Sequence, residues 1–150
     1  MVEPGLCRPE SVLVVIYTLD RQCLLLERAH PPGFWQSVTG ALLWQETPAA
    51  AAAREVVEET GLTPAVLVNS GIERRFPIVP AWRSRYGTDV QENLEYLWYM
   101  KVPEVCPITL NSKEHRVYRW LGLEDAVLTV SSWSNREALE RLRNGDVCQN

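Results

Sequence analysis

Apolar runs and turn-forming clusters alternate along the chain. Residues 11–18 and 23–28 are rich in Val, Ile and Leu, and Asp20-Arg21-Gln22 between them can turn, which predicts two strands joined tightly. His30-Pro31-Pro32-Gly33 interrupts the pattern, 35–39 reads as a further short extended piece, and a loop runs from Gly40 to Thr47. At Thr47-Pro48 the period changes. Threonine offers an oxygen to cap a helix, and proline suits the first helical position because its missing N–H has no partner there anyway. Residues 49–59 contain five alanines that favour helix, and Gly61 and Pro64 supply the stop. Downstream, 65–70, 74–79, 94–102 and 117–121 read as strands, and 80–93 is the longest irregular connection, a length at which loops often carry function. Ser134 and Glu137 have capping-box spacing and predict a helix through Arg143 that stops at Gly145. Strands with two interspersed helices predict an α/β or α+β layered structure with a mixed sheet, as one domain over residues 1–150.

Composition narrows the classes. Hydrophobic residues are 46% and charged residues 23% of the 150, the balance of a folding chain and not of a disordered one. A net charge of −4 disfavours a basic nucleic-acid-binding face, so an anionic substrate needs a few local arginines or a metal ion. The apolar run 12–17 falls far short of the roughly 20 residues that cross a bilayer, and no charged-then-apolar leader precedes it, so the expectation is a cytoplasmic protein with no membrane and no nucleic-acid partner. Cys7, Cys23, Cys106 and Cys148 form no C-x-x-C pair and have no histidine at ligand spacing, which predicts ordinary reduced thiols.

Candidate chemistry lies on the alanine-rich helix. At about 100° per residue, Glu59 projects about 40° from Glu55, with Glu58 about 60° away on the other side. Three carboxylates on one face repel one another, and a bound cation is one reason for them; oxygen-only ligands suit Mg²⁺ or Mn²⁺. A solvated acidic face is the other reading of that triplet alone. The wider spacing decides between them: Gly40, Glu46, Arg54, Glu55, Val56, Glu58, Glu59, Gly61 and Leu62 fill every fixed place of G-x5-E-x7-R-E-U-x-E-E-x-G-U, where U is aliphatic. This segment resembles the Nudix box.

The resemblance to the Nudix hydrolases implies an α/β/α sandwich around a mixed sheet, and attack of water on a phosphoric anhydride with Mg²⁺ as cofactor and Mn²⁺ as its substitute. It implies that Glu55, Glu58 and Glu59 are the catalytic, metal-binding carboxylates and that the Gly40 carbonyl reaches the metal. Glu46 and Arg54 would orient the loop against the helix, with Val56 and Leu62 in the core. One departure stands out: Leu43-Trp44-Gln45 occupy places where the family commonly has acidic residues and a glycine. Further words, 34–40, 113–115, 118–121 and 132–136, are similar to a bacterial branch of the family that hydrolyses 7,8-dihydroneopterin triphosphate. That likeness assigns Glu114 to the metal, Arg28, Arg83 and Arg85 to the phosphates, and Trp35 and Asn135 to the ring. His30 and His115 read as surface or packing residues. The alternatives are a pyrophosphohydrolase of ordinary or oxidised nucleoside triphosphates, or a binding module that has lost catalysis. Either way the partner is a small-molecule triphosphate, and monomer and homodimer both remain open.

Overall fold

The computed structural model describes residues 5–147. Its centre is β1 (Glu10–Thr18), whose Val and Ile residues are buried on both faces, the pattern of a strand covered by helices on either side. β1 runs parallel to β6 (Glu92–Val102), from Glu10 opposite Leu94 to Thr18 opposite Val102. A parallel pair needs a long crossover, which the intervening chain and α1 (Pro48–Thr60) provide. The other edge of β1 is shared: Ser11 to Val14 pair with β4 (Val38–Ala41), while Tyr17 pairs with Cys23 of β2 (Gln22–Arg28). β2 also carries β3 (Trp35–Gln36) and β7 (His115–Gly122), and β5 (Leu67–Pro77) closes the far side on β6. The sheet is therefore mixed, and it forks where β4 and β2 part along β1.

Helix α1 covers one face. Thr47 accepts the Ala50 N–H at 3.1 Å, and Gly61 closes the far end at φ 72°, a left-handed conformation that glycine takes without strain. Ala51, Ala52 and Val56 pack on Val12, Val14, Ile16, Leu24 and Leu26. On the opposite face α2 (Leu123–Thr129) and α3 (Trp133–Arg143) bury Ala138, Leu139 and Leu142 against Leu13, Val15, Leu25, Leu97 and Tyr99. The α/β/α sandwich expected from the box is the architecture found.

Several local expectations are corrected. The two strands expected at 65–70 and 74–79 are one, because Gly71, at φ 75°, makes a bulge and not a break: the pairing register shifts between Asn69 and Glu73, and the Ser70 hydroxyl donates to Leu97 O and accepts from Ile72 N–H. The single extended piece at 35–39 divides at Ser37 into β3 and β4. The cap of α3 is Ser132, which accepts the Asn135 N–H at 3.2 Å, whereas Ser134 lies inside the helix and is buried. Helix α2 was not expected. Pro80–Arg85 in the long connection form a 3₁₀ helix. Cys7, Cys23 and Cys106 are free thiols; Cys148 lies outside the described residues. Among the described residues no helix is long and apolar enough to cross a membrane.

Candidate active site

One helical turn separates Glu55 from Glu59, and both turn inward toward the fork in the sheet, while Glu58, with 52% of its side chain exposed, points to solvent. The backbone of β4 approaches α1 so closely that a Cβ at Gly40 would lie 2.2 Å from the Glu55 carboxyl carbon; only glycine admits that carboxylate. Arg54 fixes the connecting loop. Its Nε and Nη2 donate to the two oxygens of Glu46 at 2.8 Å, Nη2 also to Ala41 O at 3.0 Å, and Nη1 to Glu55 Oε1 at 2.7 Å and to Glu58 Oε2 at 3.1 Å. These bonds hold the Glu46 carboxyl below its ordinary value. Glu46 Oε1 further accepts the Leu43 N–H, Trp44 Nε1 donates to Leu6 O, and Gln45 takes φ 77°. The unusual Leu43-Trp44-Gln45 thus supports a closed loop, with a glutamine in the left-handed conformation.

Glu59 is 0% exposed, and neither of its carboxylate oxygens has a hydrogen-bond donor in bonding geometry among the described residues. Burial, and then the neighbouring carboxyls of Glu55 and Glu114, raise its pKa well above the ordinary range. Glu55 is raised as well, chiefly by burial. β7 brings two more groups: oxygens of Glu59 and Glu114 and a ring nitrogen of His115 lie within 4.8 Å of one another. His115 Nε2 is 3.5 Å from Glu59 Oε1 and 3.2 Å from Gln36 Nε2, and burial, helped by Arg28, lowers its pKa to about 4, so the ring is neutral near pH 7. A buried carboxyl that faces other acids, with only the Thr39 backbone opposing them, is costly as it stands. A divalent cation would relieve that cost, and hard oxygen donors are the set such an ion takes. The residues present therefore fit a metal.

This cluster borders a cleft of about 560 Å³ at the fork. Arg28, aligned with His115 across the β2–β7 pair, stacks its guanidinium 5.7 Å from the Phe34 ring and 5.2 Å from Trp82, and Arg85 lies over the same Trp82 at 5.4 Å. Neither arginine makes a salt bridge among the described residues. Burial and the Arg85 charge lower the Arg28 pKa. Two guanidinium groups outside any salt bridge among the described residues, beside the carboxylates, suit a polyphosphate.

Of the residues expected here, the structure brings Gly40, Glu114, Arg28, Arg85 and Asn135 to the cleft wall, with Glu55 and Glu59 behind it. Three of the expected residues direct their side chains elsewhere in this structure. Arg83 turns away, donating to Val90 O at 3.2 Å in a separate depression with Trp44 and Asp89. Trp35 faces the α2–α3 side, under the Arg119 guanidinium, because alternation along β3 gives the fork face to Gln36. Asn135 is 0% exposed, and its amide is committed to Ser37: Oδ1 accepts the N–H at 2.7 Å and Nδ2 donates to the hydroxyl at 2.9 Å. Its role there is to pin α3 to the break between β3 and β4. Sequence reasoning missed Phe34, Trp82 and Glu95 on the wall. A lone Glu95 amid the apolar residues of 94–100 was the available signal for the last.

Comparison with known proteins agrees with this geometry. The NUDIX domain model matches residues 8–142. The chain is 38% identical over 139 residues to the dihydroneopterin triphosphate diphosphatase of Escherichia coli K12, covering 89% of this chain and 91% of that protein. The enzyme of the same name from Haemophilus influenzae is 36% identical over 140 residues, with 88% and 85% covered. Among solved structures, the E. coli dihydroneopterin triphosphate pyrophosphohydrolase superposes with a TM-score of 0.86 at 36% identity, covering 93% of this chain and 98% of that one. A Caenorhabditis elegans Ap4A hydrolase, at 22% identity and a TM-score of 0.70 over 91% and 96% of the two chains, shares the fold.

Proposed function

The chain belongs to the NUDIX family, and from that premise we propose that it is a divalent-metal-dependent pyrophosphohydrolase, with Mg²⁺ as its ion, that converts 7,8-dihydroneopterin triphosphate and water into the monophosphate and pyrophosphate. The observation that carries the proposal is Glu59: a fully buried carboxyl whose oxygens find no partner in full bonding geometry among the described residues, set among Glu55, Glu114 and His115 at the arginine-lined end of the cleft. The ring in that substrate comes from the enzymes of E. coli and H. influenzae that the chain resembles over most of its length.

Glu59 and Glu114 would hold the ion, with the neutral His115 ring beside them and the Gly40 carbonyl and Glu58 as outer candidates. When bound, the ion supplies Lewis-acid neutralisation of phosphate charge and lowers the pKa of water. Arg28 and Arg85 bind the anionic tail, and their aromatic stacking with Trp82 fixes where its oxygens lie. Arg54 grips Glu55 Oε1 and holds in place the carboxylate that would take a proton from the attacking water. The bridging P–O bond between the α and β phosphates breaks, and pyrophosphate departs with the electron pair. Burial raises the Glu55 carboxyl, which suits proton uptake, since a carboxylate at its ordinary value is a weak base at neutral pH.

The test is pyrophosphate release from 7,8-dihydroneopterin triphosphate, GTP, 8-oxo-dGTP and ATP with Mg²⁺ and after EDTA. The expected result is fastest release from the pterin triphosphate, abolished by chelation and restored by Mg²⁺ or Mn²⁺. Preference for an oxidised or ordinary nucleotide overturns the substrate, and activity surviving exhaustive chelation overturns the metal.

A further inference from the structure

The cleft has a second end that the phosphate chemistry does not use. There β6 presents Glu95, 7% exposed, on the wall with Asn93, Ser134 and Asn135. Period-2 alternation puts Glu95 on the same face as Leu97 and Tyr99, whose side chains form the apolar core beneath α3, so the carboxyl stands at the rim of that core on the cleft wall. The Ser134 hydroxyl hydrogen-bonds to it. The arginine directly across the strand pair, Arg74, is bound to Glu137, so it does not neutralise Glu95 through a salt bridge.

An acidic acceptor inside a cleft for an anion repels the phosphate tail, so this end must receive a part of the ligand that donates hydrogen bonds. A carboxylate has two acceptor oxygens and no donor, and its natural complement is a pair of adjacent N–H groups in one plane. Resting on the triphosphate-hydrolase reading above, we propose that Glu95 selects the ring: its carboxylate accepts the N–H and the exocyclic NH₂ of a 2-amino-4-oxopyrimidine edge, the donor pair that a pterin shares with guanine. Adenine and cytosine place an acceptor nitrogen where this edge has N–H, and uracil has no amino group, so each leaves a buried carboxylate oxygen unpaired. The Trp133 side chain, which also lines the cleft next to Ser134, supplies stacking surface that any flat ring satisfies, which leaves discrimination to Glu95.

Two measurements test this. With the unaltered enzyme, kcat/KM for GTP should exceed that for ITP, which lacks only the 2-amino group, by about 10-fold or more; equal values overturn the proposal without any mutation. In Glu95→Gln, verified as folded by its thermal melt, the ratio of kcat/KM for 7,8-dihydroneopterin triphosphate to that for ATP should fall roughly 10- to 100-fold, because the amide turns a donor toward the ring donors. Fluorescence titration with neopterin, which has no phosphate, should weaken by a similar factor. An unchanged ratio with unchanged neopterin binding overturns the role of Glu95 while leaving the hydrolase reading intact. Glu95-dependent neopterin binding by an enzyme that hydrolyses no triphosphate supports the ring site and overturns the hydrolase reading. Stronger turnover of GTP than of the pterin triphosphate supports the edge chemistry and changes the substrate.

Discussion

Replacing Glu95 by glutamine should stabilise the protein, and by an amount that depends on pH. Burial raises the Glu95 carboxyl from an ordinary value of 4.5 to about 7, with the Ser134 hydrogen bond and the Arg74 charge opposing the shift. A raised folded-state value means that the folded protein keeps its proton to higher pH than the unfolded chain does. Stability is therefore unaffected below pH 4.5, declines as pH rises from there, and carries the whole penalty above about pH 7. At about 1.4 kcal/mol per pH unit the full linkage is about 3 kcal/mol. Glutamine does not titrate and removes that penalty, less about 1 kcal/mol for an amide whose hydrogen bonds are incomplete. The expected gain at pH 8 is about 2 kcal/mol, roughly 4–8 °C in Tm for a chain of this size, falling to zero or slightly negative at pH 4.5. Thermal melts of both proteins across pH 4.5 to 8 measure it. A Tm difference that does not change with pH, or a Glu95→Gln protein less stable than the parent at pH 8, would refute the argument that a costly acid is kept in the cleft for function.

Two further outcomes follow from the loop and helix. Arg54→Met removes bonds to Glu46, Glu55, Glu58 and Ala41 O at once and strands a part-buried Glu46 carboxylate; it should cost about 2–4 kcal/mol in denaturant unfolding and lower kcat, and a loss under 1 kcal/mol contradicts the network. Gly40→Ala drives a methyl group into the Glu55 carboxyl and should reduce kcat at least about tenfold while far-UV circular dichroism stays native, whereas full activity would show that Glu55 does not need its position.

What the sequence made legible was local. Thr47, Pro48, the alanines and Gly61 fix α1 through caps and propensity that act within a few residues, and the spacing from Gly40 to Leu62 lies in one continuous stretch. What it hid depends on partners distant in the chain. Whether Trp35 or Gln36 meets the cleft is settled by the register in which the short β3 pairs with the edge of β2, and Asn135 is committed to Ser37, 98 positions away. Ser132 and Ser134 both stand before a helical pattern, and burial of Ser134 beside Glu95 leaves the cap to Ser132. Gly71 reads as a break because the bulge it makes needs β6 alongside. His115 offered only its adjacency to Glu114, and its approach to Glu59 exists because β7 pairs with β2.

The central claim is that the cluster around Glu59 holds the divalent ion on which turnover depends. Mn²⁺ titration followed by electron paramagnetic resonance, run on the parent and on Glu59→Gln alongside pyrophosphate release at saturating metal, tests it most directly. The parent should bind Mn²⁺ with an affinity that rises with pH, as protons leave the cluster. Glu59→Gln should melt no lower than the parent, bind Mn²⁺ far more weakly, and release pyrophosphate at less than about a tenth of the parent rate. A folded Glu59→Gln protein that binds Mn²⁺ as the parent does, or that keeps its rate, would contradict the account.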